Sequence, residues 1–122
     1  MSINSCADNV WNIVADQGAT FDRTLTLKDG ARVVVPLPGY TARMHVRTKT
    51  EATTTVFMLT TENQGISISS SAGEVRVRIL PTATAAAPAG TYVYDLELAE
   101  TSTGIVTRIA YGTFTLRAEV TR

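Results

Sequence analysis

The chain has 122 residues, 11 basic and 11 acidic side chains and a hydrophobic share of 44%. That suits one domain with its own core, and zero net charge leaves no electrostatic footprint for nucleic acid or an anionic membrane surface. No apolar run nears the roughly 18 residues of a membrane span, the start lacks the basic-then-apolar pattern of a secretory signal, and the single cysteine, Cys6, excludes an internal disulfide and a multi-cysteine metal site.

Residues 1–10 show no sustained period and read as an arm. Trp11, Ile13 and Ala15 alternate with Asn12, Val14 and Asp16, which also allows a first short strand ending at Gln17-Gly18. The expected division is therefore residues 1–17 as an N-terminal arm or first edge strand, and residues 18–122 as a β-sandwich. In 20–27, Phe21, Leu25 and Leu27 share one face, and Arg23 interrupts it. Lys28-Asp29-Gly30 reads as a hairpin turn. Residues 32–35 form a short β-branched strand, and Pro36 and Pro38 interrupt the ladder after it because proline cannot donate.

Between Tyr40 and Arg47 the alternation is complete: Tyr40, Ala42, Met44 and Val46 face in, and Thr41, Arg43, His45 and Arg47 face out. Residues 48–55 are loop-like, and 56–59 form a strand of ambiguous parity. Turns at 62–65 and 72–74 bracket a short strand at Ile66 and Ile68. Val75, Val77 and Ile79 then alternate with Arg76 and Arg78, and the alanine-rich stretch after Pro81 predicts one helical turn within 82–87. Residues 90–98 place Tyr92, Tyr94, Leu96 and Leu98 on one face and Val93, Asp95 and Glu97 on the other. A polar turn at Thr103-Gly104 leads into a last strand, with Phe114, Leu116, Ala118 and Val120 on its inner face. Turn signals every 8–12 residues predict an all-β sandwich. Its expected core is Tyr40, Met44, Val46, Val75, Val77, Ile79, Tyr92, Tyr94, Leu96, Phe114 and Leu116.

No constellation points to catalysis. Asp95 and Glu97 on one wet strand face read as solvated carboxylates rather than an acid/base pair. If 40–47 pairs with 91–98, Arg43 and Arg47 face them in a charge ladder worth about 0.2–1 kcal/mol per pair. His45, the only histidine, has no companion ligands at metal-binding spacing. The glycines show no phosphate-cradling pattern. No catalytic residue, metal site or cofactor is expected, and the protein reads as a non-enzyme. The candidate partner-binding residues lie in the N-terminal segment: Ile3, Val10, Trp11 and Ile13, whose apolar side chains would be wasted in water, and Cys6, a candidate for intermolecular bonding.

Four pieces occur in order: Gly18-Ala19-Thr20-Phe21-Asp22-Arg23-Thr24-Leu25, then residues 39–47 (Gly-Tyr-Thr-Ala-Arg-Met-His-Val-Arg), then 88–96 (Pro-Ala-Gly-Thr-Tyr-Val-Tyr-Asp-Leu), and last 112–116 (Gly-Thr-Phe-Thr-Leu) running to Val120-Thr121-Arg122. Together they resemble small structural proteins of tailed bacteriophages and are similar to the N-terminal domain of lactococcal phage upper baseplate proteins. The resemblance spans about residues 16–122. It implies an immunoglobulin-like β-sandwich that anchors a fibre or receptor-binding module, and it carries over no catalytic residue. In the resembled proteins a stalk or further domains follow the sandwich, whereas this chain stops at Arg122. The expected role is thus an adaptor of the tail, baseplate or neck, located in the virion after synthesis in the bacterial host cytoplasm. Its partners would be tail, neck or fibre subunits in multiple symmetric copies, with no nucleic acid or membrane involved. A capsid decoration protein and a carbohydrate- or peptide-binding sandwich are the alternatives.

Overall fold

Where apolar residues recur every second position, the chain is extended. The computed structural model describes residues 2–4, 10–28, 33–34 and 36–121. Its elements are β1 (Ser2–Asn4), β2 (Ile13–Asp16), β3 (Phe21–Lys28), β4 (Tyr40–Arg47), β5 (Phe57–Thr60), β6 (Ile66–Ser69), β7 (Glu74–Ile79), α1 (Pro81–Ala86), β8 (Gly90–Glu100) and β9 (Val106–Arg117). The strands form a four-stranded sheet, β1-β3-β7-β6, and a five-stranded sheet, β2-β9-β8-β4-β5. The N-terminal segment gives each sheet one edge strand, and these two pairings, β1 with β3 and β2 with β9, are parallel. All other strand pairings are antiparallel. This is an all-β, immunoglobulin-like sandwich.

The inner faces interdigitate into one core. Leu25, Met44, Val46, Val75, Val77, Leu96 and Phe114 are wholly removed from solvent. Phe114 touches both neighbours of its own kind, with ring centroids 5.7 Å from Phe21 and 5.6 Å from Phe57. Every residue of the expected core is buried except Tyr40, which is half-buried. Its hydroxyl reaches the rim instead and donates to Glu100 at 2.9 Å. The ambiguous 56–59 stretch resolves with Phe57 and Leu59 inside and Met58 outside.

Crossing between the sheets, α1 starts with Pro81 at its first turn, where a missing N–H costs nothing. Thr84 is its buried residue, and its hydroxyl donates to the Ala19 carbonyl at 2.9 Å, so the polar group is satisfied. Just beyond, the Tyr92 hydroxyl donates to the Pro88 carbonyl four residues upstream. This is the tyrosine corner of immunoglobulin-like domains, tying the start of β8 to the loop before it.

Four expectations need correction or lie outside the described residues. The last strand ends at Arg117, and Val120, expected on the inner face, is 93% exposed. The expected strand at 32–35 is described only at Val33 and Val34, both exposed, with Val34 bridging Lys28. The turn residues Asp29 and Gly30, and Cys6, lie outside the described residues.

Candidate functional site

Two surfaces carry the features that a partner could use. The first is the seam where the N-terminal segment meets β9. Val10 forms an isolated parallel bridge to Tyr111 and is 57% exposed. The Trp11 N–H donates to the Tyr111 carbonyl at 2.8 Å, and the Trp11 carbonyl accepts from the buried Tyr94 hydroxyl at 2.5 Å. The indole stands edge-on to Tyr94, with ring centroids 6.5 Å apart. Burial pushes the Tyr94 phenol up, because desolvation penalises the phenolate. Asn12 accepts the Thr113 N–H at 3.1 Å, and at the far end the Asp16 carboxylate takes the Arg117 guanidinium at 2.6 and 3.1 Å. That pairing holds the Asp16 carboxyl below its ordinary range.

Gly112 lets the segment come this close. A Cβ there would lie 2.7 Å from Asn12 Oδ1 and 2.8 Å from the Trp11 carbonyl, and its φ of +153° also favours glycine. Of the five candidate partner-binding residues, Val10, Trp11 and Ile13 are thus brought together along β9. Ile13 faces this domain's own core at 3% exposure, and Trp11 packs half-buried against it, so Val10 alone of the three is exposed. Ile3 is paired through its backbone with Leu27 on the opposite sheet.

The second surface is the outer face of the five-stranded sheet, a concavity of ≈ 750 Å³. The expected pairing of β4 with β8 is present: Arg43 lies opposite Glu97 and donates to it at 2.8 Å. Arg47 falls opposite Val93, and it is His45 that lies opposite Asp95. Arg47 instead donates to the Ala52 carbonyl at 3.0 Å and reaches His45 Nδ1 at 3.3 Å.

A β-bulge shapes the third row of this face. Leu96 pairs with Ala110 but Glu97 pairs with Arg108, so Ile109 is the extra residue on β9. Ile109 and Ala110 both turn inward and are buried. A bulge re-aims side chains on its strand. Here it sets Arg108 and Tyr111, three positions apart, beside Glu97 and Asp95, two positions apart, on the same face. The Arg108 guanidinium lies over the Tyr111 ring at 4.3 Å from the centroid. Sequence reading singled out neither residue; the signal available was the break in alternation at Ile109-Ala110.

Asp95 sits half-buried in the floor of this concavity. Desolvation raises its pKa, and Glu97 adds to the rise, while Arg108, His45 and Arg43 act in the opposite sense. Glu97 has its guanidinium partner at hydrogen-bond distance; Arg108, His45 and Arg43 act on Asp95 through space.

A smaller groove of ≈ 520 Å³ runs beside the outer edge of β5 and is lined in part by Met58 and Leu80, which are 52% and 56% exposed. That edge is not bare. The Asn63 amide accepts the Thr60 N–H and donates to the Met58 carbonyl, both at 2.9 Å, standing in for a neighbouring strand. Among the described residues no three of His, Cys, Asp and Glu gather as a metal site, and no helix is long and apolar enough to cross a membrane.

No protein-family signature matches this chain. No curated protein matches it in sequence. Among solved structures, it is similar to the N-terminal domain of ORF48 of phage TP901-1. The likeness has a TM-score of 0.56 at 6% identity and covers 95% of this chain and 94% of that one. At that identity the likeness is one of fold, running nearly end to end in both chains.

Proposed function

We propose that this chain is a non-enzymatic structural protein of a tailed-phage virion, an adaptor in the tail, baseplate or neck that attaches a fibre or receptor-binding component. The observation that carries the reading is the end-to-end correspondence with a phage domain of the same fold, 95% of one chain on 94% of the other, joined to the ordered motifs of the sequence. Fold alone does not confer function; the reading rests on both together. The chemistry of the faces supports it. Glu97, Asp22 and Asp16 are each bound to an arginine, and the imidazole of His45 meets Arg47 rather than a nucleophile.

In this role the N-terminal segment is the contact element, with Val10 as its exposed apolar residue and Trp11 as its anchor on β9. Repeated copies around a symmetric ring would raise the effective concentration of each further contact. Strand addition at β5 would first have to displace Asn63, so the N-terminal segment is favoured over that edge. The test is mass spectrometry of gradient-purified particles from the host that encodes this chain. The chain is expected to co-sediment with tail and portal proteins, in several copies per particle; its absence from every particle fraction would refute the proposal.

A further inference from the structure

We propose that the concave outer face of the five-stranded sheet, around Arg43, His45, Asp95, Glu97, Arg108 and Tyr111, binds a neutral saccharide. The inference goes beyond the virion role and does not depend on it. The concavity, ≈ 750 Å³, lies within the range of small-molecule sites, roughly 300–1,000 Å³. Its polar lining is mixed: three guanidinium groups and an imidazole stand among two carboxylates.

That mixture discriminates between ligand charges. A cationic side chain seeking Asp95 would meet Arg108 and Arg43, the guanidinium groups that already act on it. An anion seeking those arginines would meet Asp95 and Glu97, and Arg43 is already held by Glu97 at 2.8 Å. A neutral polyol suffers neither repulsion. Each hydroxyl donates and accepts at once, so one can give its proton to Asp95 while its neighbour takes one from a guanidinium. The half-buried Asp95 carboxylate is the acceptor that gains most, since desolvation has already weakened its contact with water. Met58 and Val93 supply apolar wall against which the C–H face of a sugar ring packs. The bulge at Ile109 brings Arg108 and Tyr111 to this face together, and bulges recur beside functional sites.

The test is a titration of the isotopically labelled full chain, followed by backbone amide NMR. The probes are glucose, galactose, N-acetylglucosamine, maltose and cellobiose, with inorganic phosphate and free arginine as charged controls. At least one saccharide should give saturable shifts confined to amides of residues 43–47, 93–97 and 108–113. Those shifts should saturate about tenfold later in Asp95→Ala, the effect of losing one charge-assisted hydrogen bond. Arg43→Gln, at an exposed position that the fold does not need, should weaken binding in the same direction. The proposal is overturned if no saccharide shifts these amides, if both variants bind unchanged, or if phosphate or arginine binds there more tightly. It is equally overturned if the same amides shift with protein concentration alone, which would make this face an interface between copies.

Discussion

Asp95 and Glu97 share one strand face two positions apart, yet their surroundings separate them. Glu97 is bound by Arg43, an exposed pair worth at most about 1 kcal/mol. Asp95 has lost water without gaining a hydrogen-bonded cation, and its pKa is raised. A carboxyl whose folded pKa lies above its unfolded value binds more protons in the native state between the two, so stability falls as pH rises through that window. Asp95→Asn is therefore expected to melt higher than the parent at pH 7. The difference should shrink as pH falls through the raised pKa of Asp95, where the parent carboxyl becomes neutral. Asp16, Asp22 and Glu100 are shifted down by hydrogen bonds from Arg117, Arg76 and Thr103 respectively. Their contributions run the other way, present above the unfolded pKa and lost in acid in both proteins alike. Thermal melts of the two proteins from pH 3 to pH 8 check this, and a variant less stable than the parent at pH 7 would contradict the account. That an arginine of β4 faces a carboxylate of β8 was legible from alternation; that it is Arg43 on Glu97, with Arg47 opposite Val93 instead, follows from the register. The half-burial of Asp95 was not legible, because alternation marks its face as wet and gives no sign of the bulge that sets Arg108 and Tyr111 on that same face.

Among the elements, strands with unbroken alternation were the easiest to read. Tyr40 to Arg47 and residues 90–98 have one apolar and one polar face, so a one-residue slip would invert both strands, and their pairing follows. The elements that resisted are those whose sequence does not determine their partner. Phe57-Met58-Leu59 is apolar on both faces, and packing against Phe114 decides which side turns in. Val120 continues the period of β9 on paper, but the strand stops at Arg117, which is tied to Asp16. The alternation from Trp11 to Asp16 did not reveal its partner strand, because much of what docks Trp11 and Asn12 on β9 involves main-chain groups: the Trp11 N–H and carbonyl, and the Thr113 N–H. Gly112 is the element-scale control. Gly112→Val drives a side chain into the Trp11 carbonyl and should cost about 1–3 kcal/mol, as overpacking does. Because Trp11 is the single tryptophan, its emission reports the docking directly. A red shift at temperatures below the main unfolding transition is expected; unchanged emission and midpoint would show that the seam tolerates the side chain.

At the scale of the whole molecule, burial and hydrogen bonding among the described residues hold two sheets around one core, and the tyrosine corner and Thr84 fix the crossing between them. The sandwich was legible because period-2 apolar faces need a second layer. The immunoglobulin-like arrangement was implied by the ordered motifs rather than by periodicity. Neither level specifies a partner, since the residues that select one lie on outer faces and in the N-terminal segment, where core packing imposes no pattern. The central claim, that this sandwich is a repeated attachment point in a virion, is tested most directly by a reconstruction of the particle that carries it. The account predicts density for this fold in several symmetry-related copies at the tail, baseplate or neck, with the N-terminal segment in contact with a neighbouring subunit. A particle in which the chain has no density, or occurs as a lone copy whose N-terminal segment touches nothing outside its own domain, would contradict it.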